Sequence, residues 1–283
     1  MGETLTDILR LLELEPIGPD VFDGPQPGGP NSGRIFGGQV AAQALVAAGL
    51  TAAGRPPHSL HLYFLRMGDP QAPLRYSVTA LRDGRTFSAR AVQVTQNDDR
   101  VILEALASFT EPVGAMDYQT PMPDVPAPEA LPPMDVHLAD YSDHMGGYWV
   151  QPRAVDMRYV EPHPLMAADL PDAPGPVGRV WLRANGEVPD DPLIANALLA
   201  YISDWTILDP VLYVTRRRPE PGSIASLDHA MWFHRSPDFS DWLLYEEHSI
   251  SGIGARGLSN GAIYNRTGQL VCTVVQEGYL GRG

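Results

Sequence analysis

The order of elements along this chain repeats. Hydrophobic periodicity across the 283 residues gives each half a strand, a loop, a helix and then four antiparallel strands. In the first half the helix is the Ala-rich run 39–53, opened by Gly37-Gly38, and the strands are 60–65, 74–82, 86–96 and 101–109. Asp83-Gly84 and Asn97-Asp98-Asp99 supply its hairpin turns. In the second half Asp190-Asp191-Pro192 places an acidic N-cap and a first-turn proline before a helix spanning 193–208. Strands follow at 224–234, 242–250, 255–265 and 270–279, with Thr267-Gly268 as a turn. Local echoes support the duplication: Leu62-Tyr63-Phe64-Leu65-Arg66 matches Met231-Trp232-Phe233-His234-Arg235, and Ser88-Ala89-Arg90 matches Gly254-Ala255-Arg256. A unit of this kind buries its apolar surfaces by wrapping an antiparallel sheet around its helix, here twice over. Joining the two sheets edge to edge removes an exposed edge. The expected class is therefore α+β, two tandem helix-plus-antiparallel-sheet repeats forming one continuous sheet.

Flanking segments complete the plan. Leu5, Ile8, Leu9, Leu11 and Leu12 sit at helical spacing within 4–14; Pro16 ends the pattern, 17–22 is strand-like, and a Gly-Pro-rich loop runs to Gly33. Between Glu111 and Pro133 seven prolines exclude a regular element and mark a linker. Strands are expected at 154–160 and 179–183. The chain divides into an N-terminal unit 1–113, a Pro-rich linker 114–150 and a C-terminal unit 151–283.

Charge narrows the partners. Acidic residues outnumber basic ones by 34 to 20, a formal charge of -14 that repels nucleic acid and anionic membranes. Every basic residue is arginine, so any phosphate must be held by guanidinium forks or backbone N–H groups. The single cysteine, Cys272, excludes an internal disulfide and lies in an apolar run as a small buried hydrophobe, which points to a reducing compartment. The N-terminus has no positive n-region, and no stretch approaches the roughly 18 apolar residues of a membrane span. These features together predict a soluble, cytoplasmic protein.

Familiar catalytic signatures are missing: there is no G-x-S-x-G elbow, P-loop, G-x-G-x-x-G or H-E-x-x-H. The eight histidines are scattered, and the pairs His58/His61 and His229/His234 lack partners at metal-ligand spacing, so no metal is expected. Three polar residues stand out instead. On the second helix Leu193, Ala197, Ala200 and Asp204 share one stripe, which would turn a carboxylate toward the sheet. A carboxylate so placed needs donors, and serves either as a general base or as a structural group satisfied by hydroxyls. In the last strand Cys272, Val274 and Gln276 share a face, bringing an amide into an apolar layer where it can orient a water or bond locally. Ser226 opens the strand 226–235 and can complete such a water site or act structurally.

Four segments carry a family resemblance: Arg34-Ile35-Phe36-Gly37-Gly38-Gln39-Val40, the run from Ser59 to Pro70, Arg82-Asp83-Gly84-Arg85-Thr86-Phe87-Ser88-Ala89-Arg90, and Asp228-His229-Ala230-Met231-Trp232-Phe233-His234. From the N-terminal helix to Gly278 the chain resembles the bacterial acyl-CoA thioesterase II family. The resemblance implies a double hotdog fold and hydrolysis of acyl-CoA to fatty acid and CoA without cofactor, metal or covalent intermediate. It also implies that an Asp, a Thr and a Gln hold the attacking water. Asp204 and Gln276 match the first and third; Ser226 stands where the family usually has Thr, keeping the hydroxyl but losing the methyl that stiffens the rotamer.

No matching Asp or Gln appears in the first half, where Ala47 to Leu50 and Ala105 to Ser108 stand in the corresponding places, so its hotdog is expected to be degenerate. Two rival readings remain: a non-catalytic acyl-CoA binding or sensing protein, and an enoyl-CoA hydratase. Asp190-Asp191-Pro192-Leu193 faintly resembles a hydratase pattern, but Ile194 replaces its histidine. A homo-oligomer, dimer or tetramer, is also expected. Arg66, Arg90, Arg235 and Arg256 are candidate phosphate ligands, each equally readable as a strand-end ion-pair partner.

Overall fold

Helix α2 (Gly37–Leu50) is buried from Gly38 to Gly49; its side chains are small and mostly apolar, and its two glutamines, Gln39 and Gln43, are buried with them. A helix without a polar face must be enclosed on all sides. In the computed structural model, which describes residues 4–26, 35–97, 99–111, 114, 116–144, 147, 151, 153–172, 174–220 and 222–281, a sheet and a second helix provide that enclosure. The Gly-Pro-rich stretch 27–34, Asp98 and Pro112, which belong to the expected N-terminal loop, hairpin turn and linker, fall outside the described residues.

Before α2 come helix α1 (Leu5–Leu11) and the strands β1 (Glu15–Gly18) and β2 (Val21–Gly24). The one strand expected at 17–22 is thus a tight hairpin, turned at Asp20 with φ 54°. After α2 follow β3 (Pro57–Phe64), β4 (Leu74–Asp83), β5 (Phe87–Gln96) and β6 (Arg100–Thr110). Later come the short helices α3 (Met134–His137) and α4 (Pro164–Ala167), set among β7 (Val155–Tyr159) and β8 (Val177–Ala184). Helices α5 (Pro192–Ser203) and α6 (Asp209–Thr215) precede β9 (Ala225–Ser226), β10 (Asp228–Phe233), β11 (Leu243–Ile253), β12 (Arg256–Asn265) and β13 (Leu270–Tyr279).

All 13 strands of the described residues belong to one antiparallel sheet. Its order is β1-β2-β4-β5-β6-β3-β10-β13-β12-β11-β8-β7, with β9 on β13. The run β4-β5-β6-β3 is mirrored by β10-β13-β12-β11, and the halves meet where β3 pairs β10 through His61 and Ala230. This is the double hotdog arrangement: each half-sheet curves around the helix that precedes its seam strand.

The two long helices pack against each other and run antiparallel. A Cβ on Gly38 would meet the Tyr201 carbonyl at 2.4 Å, and one on Gly49 would meet Leu193 Cδ1 at 2.4 Å. Only glycine permits so close an approach at both ends. The stripe of Leu193, Ala197, Ala200 and Asp204 therefore faces α2 rather than only the sheet. The helix expected over 193–208 also stops earlier, at Ser203; Asp204 is its C-cap, and a turn separates it from α6. Its start is as expected, with Asp191 accepting from Leu193 N at 2.8 Å and Ile194 N at 3.4 Å.

The Pro-rich segment is docked on the outer face of the second half-sheet. Met122, Val125 and Leu131 cover Trp181, Trp242 and Leu244. Trp181 Nε1 donates to the Pro126 carbonyl at 3.0 Å, and Gln119 bridges Gly268 O and Leu270 N at 2.7 and 2.9 Å. Prolines cannot donate ladder bonds, so the strap holds the sheet through side chains and carbonyls instead.

Candidate active site

Asp204, Ser226 and Gln276 converge. Asp204 reaches them from the end of α5, Ser226 from β9, and Gln276 from the inward face of β13 that it shares with Cys272 and Val274. Asp204 Oδ1 accepts from Ser226 Oγ at 3.0 Å and from Gln276 Nε2 at 2.8 Å, and Gln276 Nε2 also donates to Ser226 Oγ at 3.0 Å. The other oxygen, Oδ2, accepts the Gly38 backbone N–H at 2.8 Å. The pairing of β9 with β13, Ser226 opposite Gly278, sets the hydroxyl beside the amide.

The electrostatics explain how a carboxylate is held here. Asp204 sits at the negative end of its own helix, an unfavourable place for a charge, but the first turn of α2 brings the Gly38 N–H and its positive dipole end to Oδ2. Phe36, the N-cap residue of α2, offers no side-chain acceptor. Asp204 supplies that acceptor from the other helix. A Cβ on Gly37 would stand 2.8 Å from Asp204 Oδ2 and 3.1 Å from Phe64 Cζ, so a bare backbone is required there. Phe36, Tyr201 and Trp205 stack edge to face beside the carboxylate, with ring centroids 5.1 and 5.9 Å apart. They and Phe64 border the polar cluster with apolar surface.

One member of the cluster escaped sequence reasoning. His229 is fully buried; its Nδ1 meets Gln276 Oε1, and its Nε2 lies 3.0 Å from Ser203 Oγ. Burial holds its pKa below the usual imidazole value, against the charge of Asp204, the Gln276 hydrogen bond and Asp228. Weighing His229 only as a metal ligand hid it. The available signal was strand parity: His229, Met231 and Phe233 alternate on one face, the face that enters the layer occupied by Gln276.

The first half lacks this constellation. The internal echo aligns Leu60 with His229, and Leu60 pairs in register with Ala107. Where α5 ends in Asp204, α2 ends in Thr51, one residue beyond the expected position, and Thr51 binds the buried Arg90 guanidinium through Oγ1 at 2.9 Å and its carbonyl at 2.7 Å. Arg90 also pairs Asp83 at 2.8 Å. The other candidate arginines have internal partners too: Arg66 the Val101 carbonyl, Arg235 Asp117 and Leu270 O, and Arg256 Glu277. Among the described residues, no group of three or more His, Cys, Asp or Glu converges as a metal site.

Comparison with known proteins agrees with this architecture. Residues 172–279 match the profile of the acyl-CoA thioesterase family, and residues 26–110 match the profile of the acyl-CoA thioesterase N-terminal domain. The chain is 35% identical to acyl-CoA thioesterase 2 of Haemophilus influenzae, with 99% of each chain covered. It is 34% identical to acyl-coenzyme A thioesterase 8 of Mus musculus, over 96% of this chain and 88% of that one. The solved structure of the tesB protein of Mycobacterium avium subsp. paratuberculosis superposes with a TM-score of 0.82 at 39% identity, covering 99% of this chain and all of that one. The chain belongs to the acyl-CoA thioesterase family and is a thioester hydrolase of the double hotdog fold.

Proposed function

We propose that the protein hydrolyses fatty acyl-CoA to free fatty acid and CoA, using a water that Ser226 and Gln276 orient and Asp204 deprotonates. The water oxygen bonds to the thioester carbonyl carbon as its proton passes to Asp204. The tetrahedral adduct expels the thiolate, the C–S bond breaks, and Asp204 returns the proton to sulfur. Orphan N–H groups in the first turn of α2 face the developing oxyanion, and the aromatic border takes the start of the acyl chain.

One observation carries this reading: the two oxygens of Asp204 have different partners. Oδ2 is engaged by Gly38, while Oδ1 accepts from the Ser226 hydroxyl and the Gln276 amide; the amide also donates to Ser226 Oγ and so fixes carboxylate and hydroxyl as the two acceptors for the water's hydrogens. Relatives named as acyl-CoA thioesterases support the substrate class. The hydratase reading loses ground because Asp191 is engaged as the cap of α5.

Asp204→Asn tests the assignment on a panel of acyl-CoAs with a thiol reagent. Loss of a general base lowers turnover by about 10²-fold to 10⁴-fold. Near-normal turnover in the folded variant rejects Asp204 as the base. With the wild-type protein, tight binding without thiol release identifies a sensor, and hydration without thiol release identifies a lyase.

We further propose the division into a degenerate hotdog 1–113, a strap 114–150 and a catalytic hotdog 151–283. None of the described helices is long and apolar enough to cross a membrane. The lone, fully buried thiol of Cys272 supports a cytoplasmic setting. The outer sheet face near the seam exposes Tyr63, Leu106 and Trp232, which we read as the contact of a homo-oligomer.

A further inference from the structure

The side chain of Gln276 has two chemically distinct ends, and only one arrangement serves the water site. Both hydrogens of Nε2 are used, one on Asp204 Oδ1 and one on Ser226 Oγ. Oε1 is then left as an acceptor inside a residue that is 1% exposed, where solvent does not satisfy it. His229 Nδ1 is the atom that meets it. Resting on the water-site reading above, we infer that His229 is a positioning residue: its Nδ1–H holds Gln276 Oε1 and so aims Nε2 at Asp204 and Ser226.

The opposite tautomer does not fit. An Nε2–H imidazole would set the Nδ1 lone pair against Oε1; turning the amide over to relieve that would press Oε1 against the Asp204 carboxylate and leave Ser226 without its donor. The Nδ1–H form is itself anchored. Nε2 of His229 lies 3.0 Å from Ser203 Oγ, whose one hydrogen has this nitrogen and the Ala200 carbonyl at 3.1 Å as its acceptors and in this form turns to Nε2, and Tyr245 OH donates to the Ser203 carbonyl at 3.2 Å. Ser203 precedes Asp204 in the chain, so the contacts close a ring: carboxylate, amide, imidazole, hydroxyl, and back through one peptide bond to the carboxylate. A closed ring ties the amide orientation to the position of the base. In the first half the aligned pair is Leu60 and Ala107, and no such ring is possible there.

Three variants and one measurement on the intact protein test this inference, with octanoyl-CoA and a thiol reagent as the probe. His229→Leu removes the donor and should lower kcat by about 10²-fold while leaving KM largely unchanged, as a misplaced group does. His229→Asn restores an N–H near the Nδ1 position and should recover about tenfold of that loss. His229→Gln, whose amide reaches instead toward the Nε2 position, should not. Equal turnover in folded Asn and Leu variants overturns the inference. Should the variants fail to fold, imidazole nitrogen shifts of the wild-type protein decide the matter: a proton on Nδ1 of His229 supports the role, and an Nε2–H tautomer overturns it. Gln276→Ala separates the two layers of argument. Retained turnover there sinks the water site itself, whereas lost turnover there beside full activity in His229→Leu sinks only the positioning role.

Discussion

Asp204 accepts the backbone N–H of Gly38 through Oδ2 at 2.8 Å, so a carboxylate at the C-terminal end of one helix caps the N-terminal end of the other. The contact joins the two halves of a duplicated chain at the point where chemistry is proposed. It also depends on the antiparallel, glycine-mediated packing of α2 and α5, since only that arrangement brings the end of one to the beginning of the other.

The close approach at Gly37 should be as sensitive as the carboxylate itself. Gly37→Ala sets a methyl group 2.8 Å from Asp204 Oδ2 and 3.1 Å from Phe64 Cζ, and one of them must move. A displacement near 1 Å costs about 10²-fold in rate. Thermal stability should change much less, because Asp204 and Phe64 are both partly exposed. Unchanged kcat in Gly37→Ala would show that the carboxylate position is not critical.

Ser226 should tolerate a methyl group but not the loss of its hydroxyl. A hydrogen bond to a charged partner contributes roughly 1.5–3 kcal/mol, so Ser226→Ala should lower kcat by about 10-fold to 100-fold. Ser226→Thr keeps the donor to Asp204 and should stay near the parent. Equal rates for the Ala and Thr variants would remove the hydroxyl from the mechanism.

A pair of buried acids away from the site makes stability depend on pH. Asp209, at the start of α6, is pushed up to about 8 by burial, against the Tyr159 hydrogen bond at 2.9 Å. Burial and the charge of Asp209 likewise raise Glu247, which accepts from Thr206 Oγ1 at 2.6 Å. With its folded pKa above the ordinary value of 3.8, Asp209 binds a proton in the folded state that the unfolded chain has released. Its contribution is complete below pH 3.8 and lost as pH rises toward 8. Asp209→Asn keeps a neutral acceptor for Tyr159 and should flatten that decline. Denaturation midpoints measured from pH 5 to pH 8 check it, and parallel curves for parent and variant would refute it.

The docked strap predicts where stability resides outside the helix layer. Trp181 is 3% exposed beneath Met122, Val125 and Leu131, and its indole holds the Pro126 carbonyl. Trp181→Ala should destabilise the fold by about 3–5 kcal/mol. Proteolysis should then cut first within the Pro-rich segment. An unaltered unfolding midpoint would mean that the strap contributes little.

Local patterns were sufficient for much of this protein. Repeated periodicities identified α1, α2, α5 and most strands, though not the short helices α3, α4 and α6, because burial on one face of a strand or all around α2 leaves its mark on neighbouring residues. The parity of β13 placed Gln276 inside for the same reason, and the Asp191-Pro192 pair marked where α5 begins. The end of α5 was not readable in this way. Its apolar pattern continues past Ser203, and the helix stops where Asp204 turns to satisfy Gly38, Ser226 and Gln276, partners 166, 22 and 72 residues away. His229 was invisible as a positioning group because its partners lie on a helix end and on a different strand. The Pro-rich segment announced only that it lacked regular structure, and its seat on Trp181 and Trp242 follows from apolar surface that exists only once β8 and β11 have paired. Sequence determined the elements and the direction of their side chains, since both depend on near neighbours. Tertiary structure decided which ends meet, because that depends on how closely two helices separated by some 140 residues can approach.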